Sequence, residues 1–292
     1  MHADEIETSP ALVRRLLEAQ FPQWAARPVE PVSFRGTENA LYRLGDDKVV
    51  RLPTRPRPAV TLEKERRWLP RLAPHLPLAV PTPLAEGAPS EDYPFTWSIY
   101  SWLPGATVIE APIADLRQAA LDLAGFIRAL QRVDATGGPG PGEHNFGRGE
   151  PLAHRDEPMR AAIASLGAHD RAAAWEEALS VPDWDRPPVW IHGDLDARNV
   201  LVENGRLSAV LDFGSVGVGD PACDVMVAWK LFTGDSREVF RRELAVDDAT
   251  WARARGWVLS QALIALAYYT LETNPVLVRE AQKWLEALDA DA

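Results

Sequence analysis

The pattern of secondary-structure signals changes near Gly105, and this change constrains the fold more than any other feature of the 292-residue chain. Before it, short apolar segments such as residues 48–52 predict strands, with a single helix inserted between them. After it, long amphipathic segments predict helices, beginning with residues 116–133. We therefore predict an α+β fold in which a β-rich N-terminal lobe, residues 1–104, precedes a mainly helical C-terminal lobe, residues 105–292. Ligand sites are common where two such parts meet.

Charge and cysteine content narrow the class of protein. The net charge of −11 argues against nucleic acid as a partner and is compatible with a cationic small molecule. Cys223 is the sole cysteine, which excludes an intramolecular disulfide and fits a reducing compartment. Residues 1–10 lack the pattern of a signal peptide, and the most apolar helical stretch, residues 258–269, is too short to span a bilayer. We expect a cytoplasmic protein without a membrane partner, either a monomer or a homodimer.

The densest group of polar residues lies between short apolar segments, where polar side chains are least expected. It runs from His192 to Asn199 and continues at Asp212-Phe213-Gly214. Asp194 and Asn199 are five residues apart, and a hairpin with a turn at Asn204-Gly205 returns the chain to Asp212 beside them. Oxygen ligands of this kind suit Mg²⁺, and a further carboxylate would accept the proton of an attacking hydroxyl. Taken singly, each of these residues could instead be a turn former, a cap or a structural histidine.

The order His-x-Asp-x-x-x-x-Asn followed by Asp-Phe-Gly resembles the catalytic and metal-binding loops of kinases. With His-Gly-Asp-Leu, Gly219-Asp220-Pro221 and Asp224, the chain resembles the aminoglycoside and macrolide phosphotransferases, which have a two-lobed protein-kinase-like fold. The resemblance implies the following roles, residue by residue: Asp194 is the catalytic base, Asn199 and Asp212 are Mg²⁺ ligands, His192 is the loop histidine, and Asp220 braces the catalytic loop. Asp196 and Arg198 remain open between a functional and a structural role.

The N-terminal half supplies the expected nucleotide site. Gly36, Thr37 and Asn39 lie where this family has its phosphate-covering loop, although an ordinary hairpin turn would look the same. The resemblance also implies that Tyr100 guards the pocket and that the backbone of residues 101–103, Ser101, Trp102 and Leu103, hydrogen-bonds the purine.

The family pattern expects a lysine where Arg51 stands. Arginine can also hold phosphate and carboxylate together, so we assign the role to Arg51. Lys48 is the alternative, but side chains alternate along a strand, so Lys48 faces the opposite side. For the partner glutamate on the next helix we choose Glu65 over Glu63, because Glu65 shares the apolar face of that helix.

These observations predict an Mg²⁺-dependent phosphotransferase that moves the γ-phosphate of ATP or GTP to a hydroxyl of a small molecule. The resemblance favours an aminoglycoside or macrolide antibiotic as the acceptor, with an associated role in antibiotic resistance. The acceptor site should lie beside Asp194, where Glu143, Asp156 and Glu157 either meet an amine or are solvated surface. The alternatives are a kinase of a metabolic alcohol such as choline or homoserine, and a non-catalytic nucleotide-binding relative. A metallo-phosphoesterase is disfavoured, since such sites need several histidines and this cluster has one.

Overall fold

The computed structural model describes residues 6–32, 39–55 and 59–291. By its internal packing the chain divides into two compact units. One consists of Met1–Pro74 and Ala79–Pro104, and the other of His75–Leu78 and Gly105–Ala292.

The first unit is built on a five-stranded antiparallel sheet. Its strands in chain order are β1 (Val29–Pro31), β2 (Asn39–Leu44), β3 (Lys48–Pro53), β4 (Pro83–Gly87) and β5 (Trp97–Ser101), and their order across the sheet is β1-β2-β3-β5-β4. Strand β4 was not predicted, because it begins with a proline and its outer positions are exposed, as suits the edge of a sheet. Residues Lys48 to Arg51 of β3 pair with β5, so β3 is an interior strand.

Two helices accompany this sheet, α1 (Pro10–Gln20) and α2 (Ala59–Leu72). Helix α1 begins where the Ser9 hydroxyl accepts a hydrogen bond from the N–H of Leu12, with Pro10 at the first helical position. Its buried side chains recur at helical spacing and join Val50, Trp97 and Ile99 of the sheet in one apolar core.

The second unit is mainly helical. Its helices are α3 (Leu116–Arg132), α4 (Asp156–Leu166), α5 (Ala172–Ser180), α6 (Ala222–Val225), α7 (Val227–Leu231), α8 (Gly234–Leu244), α9 (Asp248–Tyr268) and α10 (Pro275–Asp289). Helix α9 packs against α4, α5, α6 and α10, so apolar residues occur around most of its circumference. At Gly256 an added Cβ would lie 2.5 Å from a methyl carbon of Leu152, so this close packing requires glycine.

Short strands frame the polar loops of the second unit. They are β6 (Ala106–Thr107), β7 (Val189–Ile191), β8 (Val200–Glu203), β9 (Arg206–Val210) and β10 (Gly217–Gly219). Strands β8 and β9 form the predicted hairpin, with Asn204 and Gly205 both at positive φ in its turn. Strand β7 pairs with β10, and β6 pairs with β8.

Candidate functional site

The polar loop of residues 192–199 lies between β7 and β8, and the hairpin brings residue 212 back to it. Val200 pairs with Val210, and one residue further out the N–H of Leu211 donates to the carbonyl of Asn199 at 2.7 Å. Asp212 is the next residue after Leu211, so it lies close to Asn199. This adjacency comes from strand register alone, which is why the sequence could predict it.

The side-chain amide of Asn199 has a defined orientation. Its Nδ2 donates to the backbone carbonyl of Asp194 at 2.8 Å and to Oδ2 of Asp194 at 3.3 Å. Its Oδ1 accepts no hydrogen bond from the described residues. Asp212 has a left-handed backbone with φ of 58°, stabilised where its carboxylate accepts from the N–H of Gly214 at 3.3 Å. The amide and carboxylate oxygens at this point are the hard donors that suit Mg²⁺.

His192 acts on the position of the loop. Its Nε2 donates to the carbonyl of Leu211 at 2.8 Å, and its Nδ1 accepts from the N–H of Asp194 at 3.2 Å, which places the ring proton on Nε2. The ring also meets Phe213 edge-on, with 4.6 Å between centroids. His192 therefore ties the loop that carries Asp194 to the segment that carries Asp212.

Asp224 holds the start of the loop, a role that the family resemblance implied for Asp220. The two carboxylate oxygens of Asp224 accept from the N–H groups of His192 and Gly193, each at 2.7 Å, and its burial raises the pKa of this carboxyl. Asp220 instead forms a two-pronged ion pair with Arg253, at 2.7 and 3.3 Å, and accepts from the N–H of Ala222. The sequence did contain a signal for this role of Asp224. An aspartate within a run of buried, mostly apolar residues needs hydrogen-bond partners inside the protein.

Asp196 and Arg198 neutralise each other within the loop. Nε of Arg198 lies 3.1 Å from both carboxylate oxygens of Asp196, which is 1% exposed. Burial opposes ionisation of Asp196, but the charges of Arg198 and Lys230 outweigh it and lower its pKa. The pair therefore has a structural explanation.

In the first unit, Arg51, Glu65 and Tyr100 form one buried cluster. Nη1 of Arg51 lies 3.0 Å from Oε2 and 3.3 Å from Oε1 of Glu65, whose side chain is fully buried. The Tyr100 hydroxyl donates to the same carboxylate at 2.5 Å, and burial together with the charge of Glu65 raises the pKa of Tyr100 well above its ordinary value. Two donors from neighbouring strands therefore hold the glutamate of α2.

The alternative residues of this cluster lie elsewhere. Glu63 is exposed, and Lys48 pairs with Asp47 at 2.6 Å. Among Glu63, Glu65, Lys48 and Arg51, the structure thus brings together the pair that the sequence favoured.

The predicted nucleotide-contacting residues are only partly within the described residues. Gly36 and Thr37 lie outside them. Asn39 begins β2 and is buried, and its Oδ1 accepts no hydrogen bond from the described residues.

The backbone of residues 101–103 is already partly engaged. The N–H of Ser101 donates to the carbonyl of Thr82 at 2.9 Å, and that of Trp102 donates to Asp47 at 2.8 Å. The N–H of Leu103 donates to no backbone carbonyl among the described residues. Of these three N–H groups, only that of Leu103 is therefore without a backbone acceptor in the described part of the chain.

The proposed acceptor carboxylates are engaged or solvated. Asp156 accepts from Nε of Arg160 at 2.9 Å and from Nε1 of Trp175 at 2.8 Å, whereas Glu143 and Glu157 are exposed. The aromatic residues of the last helices differ in their exposure. Trp229, Trp251 and Trp257 are buried, Tyr269 is half-buried and Tyr268 is 66% exposed.

The chain was compared with protein-family models, with curated proteins and with solved structures. The model of the phosphotransferase enzyme family (APH) matches residues 29–257. No match was found among curated proteins.

Three solved structures illustrate the similarity of fold. The GDP complex of wild-type aminoglycoside 2'-phosphotransferase-IIIa has a TM-score of 0.74 at 19% identity, with 98% of this chain and 100% of that chain covered. The macrolide 2'-phosphotransferase MphH from Brachybacterium faecium has a TM-score of 0.59 at 24% identity, with 91% and 98% covered. A thermostable mutant of aminoglycoside phosphotransferase APH(4)-Ia, in ternary complex with AMP-PNP and hygromycin B, has a TM-score of 0.65 at 21% identity, with 96% and 99% covered.

These similarities confirm the predicted α+β, protein-kinase-like fold and the prediction of a phosphotransferase enzyme. In the part of the chain that the structure describes, no helix has both the length and the apolar character needed to cross a bilayer. Because the family model spans most of the sequence, the chain belongs to the phosphotransferase enzyme family.

Proposed function

We propose that this protein transfers the γ-phosphoryl group of ATP or GTP to a hydroxyl of a small molecule, with Asp194 as the catalytic base. The observation that carries the proposal is the local geometry of the second unit. Asn199 binds Asp194 through its amide nitrogen, and Leu211 binds Asn199, so Asp194, Asn199 and Asp212 are neighbours. A nucleotide donor is supported by two of these structural neighbours, which are complexes with GDP and with AMP-PNP.

Each residue has a role that follows from its contacts. Asp194 accepts the proton of the acceptor hydroxyl, and Asn199 holds its side chain in position through the 3.3 Å hydrogen bond. Asn199 and Asp212 would hold Mg²⁺, which when bound neutralises charge on the phosphate oxygens. Arg51 binds the phosphates of the nucleotide, with its guanidinium fixed by Glu65. Most of the acceleration then comes from positioning and electrostatics.

This proposal also assigns a different role to each of the two parts of the chain. Residues 1–104 would bind the nucleotide, with the N–H of Leu103 as the donor to the purine. Residues 105–292 would supply the catalytic loop and bind the acceptor. For the acceptor, the resemblance favours an aminoglycoside or macrolide, and a small metabolic alcohol is the alternative.

The test is nucleoside diphosphate release with ATP and with GTP, with and without Mg²⁺, over a panel of aminoglycosides, macrolides and small amino alcohols. We expect transfer that requires Mg²⁺. Asp194→Asn should retain the fold and nucleotide binding while lowering kcat by at least about 10²-fold, the scale of a positioned base. Asp235→Asn is the matched control, because the side chain of Asp235 is 92% exposed. Unchanged turnover in Asp194→Asn would refute the assignment of the base.

A further inference from the structure

Two arginines of the second unit share one aromatic ring beside the catalytic loop. The guanidinium carbons of Arg148 and Arg155 lie 5.4 and 5.5 Å from the centroid of the Trp257 ring, which is fully buried. We propose that Arg148 and Arg155 form an anion-binding subsite, so that the acceptor of the proposed phosphoryl transfer is a hydroxyl compound that also carries a carboxylate or a phosphate group. This inference rests on the proposed function and replaces the aminoglycoside or macrolide acceptor, which the resemblance favours, with an anionic one.

The first argument is that these guanidinium groups lack a counter-charge. Among the described residues, neither one pairs with a carboxylate. Within the described part of the chain, Nη1 of Arg148 is buried without a hydrogen-bond partner, and Nε of Arg155 has a single long contact, 3.4 Å to the Ser260 hydroxyl. Burial and the neighbouring charge of Arg148 lower the pKa of Arg155 to about 9, so the surroundings of Arg155 disfavour its charge.

The second argument is the contrast with other buried arginines of the same unit. Arg237 and Arg253, the other arginines that are more than nine-tenths buried in the described part of this unit, meet Asp291 at 2.9 Å and Asp220 at 2.7 Å, and the half-buried Arg198 meets Asp196. Unpaired buried charge is costly, and the guanidinium fork matches carboxylate and phosphate geometry. An anion at Arg148 and Arg155 would supply the partner that the other arginines already have.

The third argument is location. Nε of Arg148 donates to the carbonyl of Gly193 at 2.8 Å, and Gly193 directly precedes Asp194. Nε1 of Trp257 and Oε1 of Gln261, one turn apart on α9, are also buried and lack hydrogen-bond partners among the described residues. A donor on the ring that both arginines contact, with an acceptor one helical turn away, suits a ligand that carries both an anionic group and hydroxyls. The same two positive charges disfavour a polycationic aminoglycoside.

The test measures binding in the absence of nucleotide, so it does not depend on phosphoryl transfer. Binding to the whole Asp194→Asn chain is measured by thermal unfolding and by calorimetric titration. Each anionic probe has a neutral counterpart: gluconate is compared with sorbitol, and glucose 6-phosphate with glucose. The ionic strength is equalised with NaCl. Kanamycin is the cationic probe. We expect at least one anionic probe to raise the Tm while its neutral counterpart and kanamycin do not. Gluconate and glucose 6-phosphate distinguish a carboxylate from a phosphate subsite.

Variants locate the binding. Arg155→Gln should weaken binding of the anionic probe at least tenfold, and Arg155→Lys should retain part of it. Arg160→Gln is the control, since the Arg160 side chain is 52% exposed and pairs with Asp156 and Glu176. The proposal is overturned if neither anion binds better than its neutral counterpart, or if Arg160→Gln weakens binding as much as Arg155→Gln.

The comparison of each anion with its neutral counterpart uses no substitution at Arg155, so it tests the proposal even if the Arg155 variants fail to fold. The two proposals also fail separately. Loss of the subsite would leave transfer to uncharged hydroxyls intact, whereas absence of transfer in the wild-type protein would leave anion binding measurable.

Discussion

Asp224 should contribute strongly to both stability and turnover, although it is not one of the proposed reacting groups. In Asp224→Ala the N–H groups of His192 and Gly193 lose the carboxylate oxygens that accept their hydrogen bonds, each at 2.7 Å. The side chain of Asp224 has no contact with solvent in the wild-type protein. A buried N–H left without a partner costs about 1–3 kcal/mol, so two cost about 2–6 kcal/mol. Because burial raises the pKa of Asp224, removing the carboxylate returns part of its desolvation cost. We therefore expect a net loss of about 2–4 kcal/mol in the free energy of unfolding.

The consequence for catalysis follows from the position of the two N–H groups. They belong to the two residues directly before Asp194, so their release lets the proposed base leave its position. We expect kcat to fall together with stability, and hydrogen exchange of the amides of residues 192–194 to become faster. In Asp224→Asn one amide oxygen can still accept, so its loss of stability should be about half as large.

The assay is urea-induced unfolding followed by far-ultraviolet circular dichroism, with hydrogen exchange measured under native conditions. Asp235→Ala is the control, because Asp235 lies in the first turn of α8 with an exposed side chain. If Asp224→Ala destabilises the protein no more than Asp235→Ala, the two hydrogen bonds do not hold the loop and the reasoning fails.

Two further predictions concern the other buried charges. In the first unit, Arg51→Met leaves the fully buried Glu65 carboxylate with Tyr100 as its remaining donor among the described residues. We therefore expect stability to fall by about 3–5 kcal/mol and nucleotide binding to weaken, as measured by denaturation and by titration with ATP and GTP. A fully stable Arg51→Met would contradict the pairing. In the second unit, burial lowers the pKa of Lys230 to about 8, against opposing effects from Asp196 and Asp194 and with smaller support from Arg148 and Arg198. Between pH 8 and the ordinary lysine pKa of 10.5 the unfolded chain binds more protons, so stability should rise with pH across this window, by about 3 kcal/mol at most. This rise in stability with pH should be absent in Lys230→Met. An equal rise in the wild-type protein and in Lys230→Met would show that Lys230 is not the group responsible.

The elements that the sequence predicted well are those with strong local signals. Helix α3 shows apolar residues at helical spacing, and the Asn204-Gly205 turn specified the β8–β9 hairpin. Strand β4 was missed because a proline-led edge strand with exposed side chains has little apolar alternation to detect. Helical spacing also does not show where the packing around α9 ends, and the side chain of Tyr268 at its end is 66% exposed.

The sequence by itself determined the neighbourhood of Asp194, Asn199 and Asp212, because a five-residue spacing and a tight hairpin place these residues together before any long-range packing is considered. It also selected Glu65 over Glu63 through helical periodicity. Only the tertiary structure decided that Asp224 and not Asp220 holds the loop, and that Arg148 reaches Gly193 from 45 positions away. The physical reason is that local spacing fixes which residues share a turn or a strand face. The partner of a buried charge, by contrast, depends on which distant segments the folded core brings into contact.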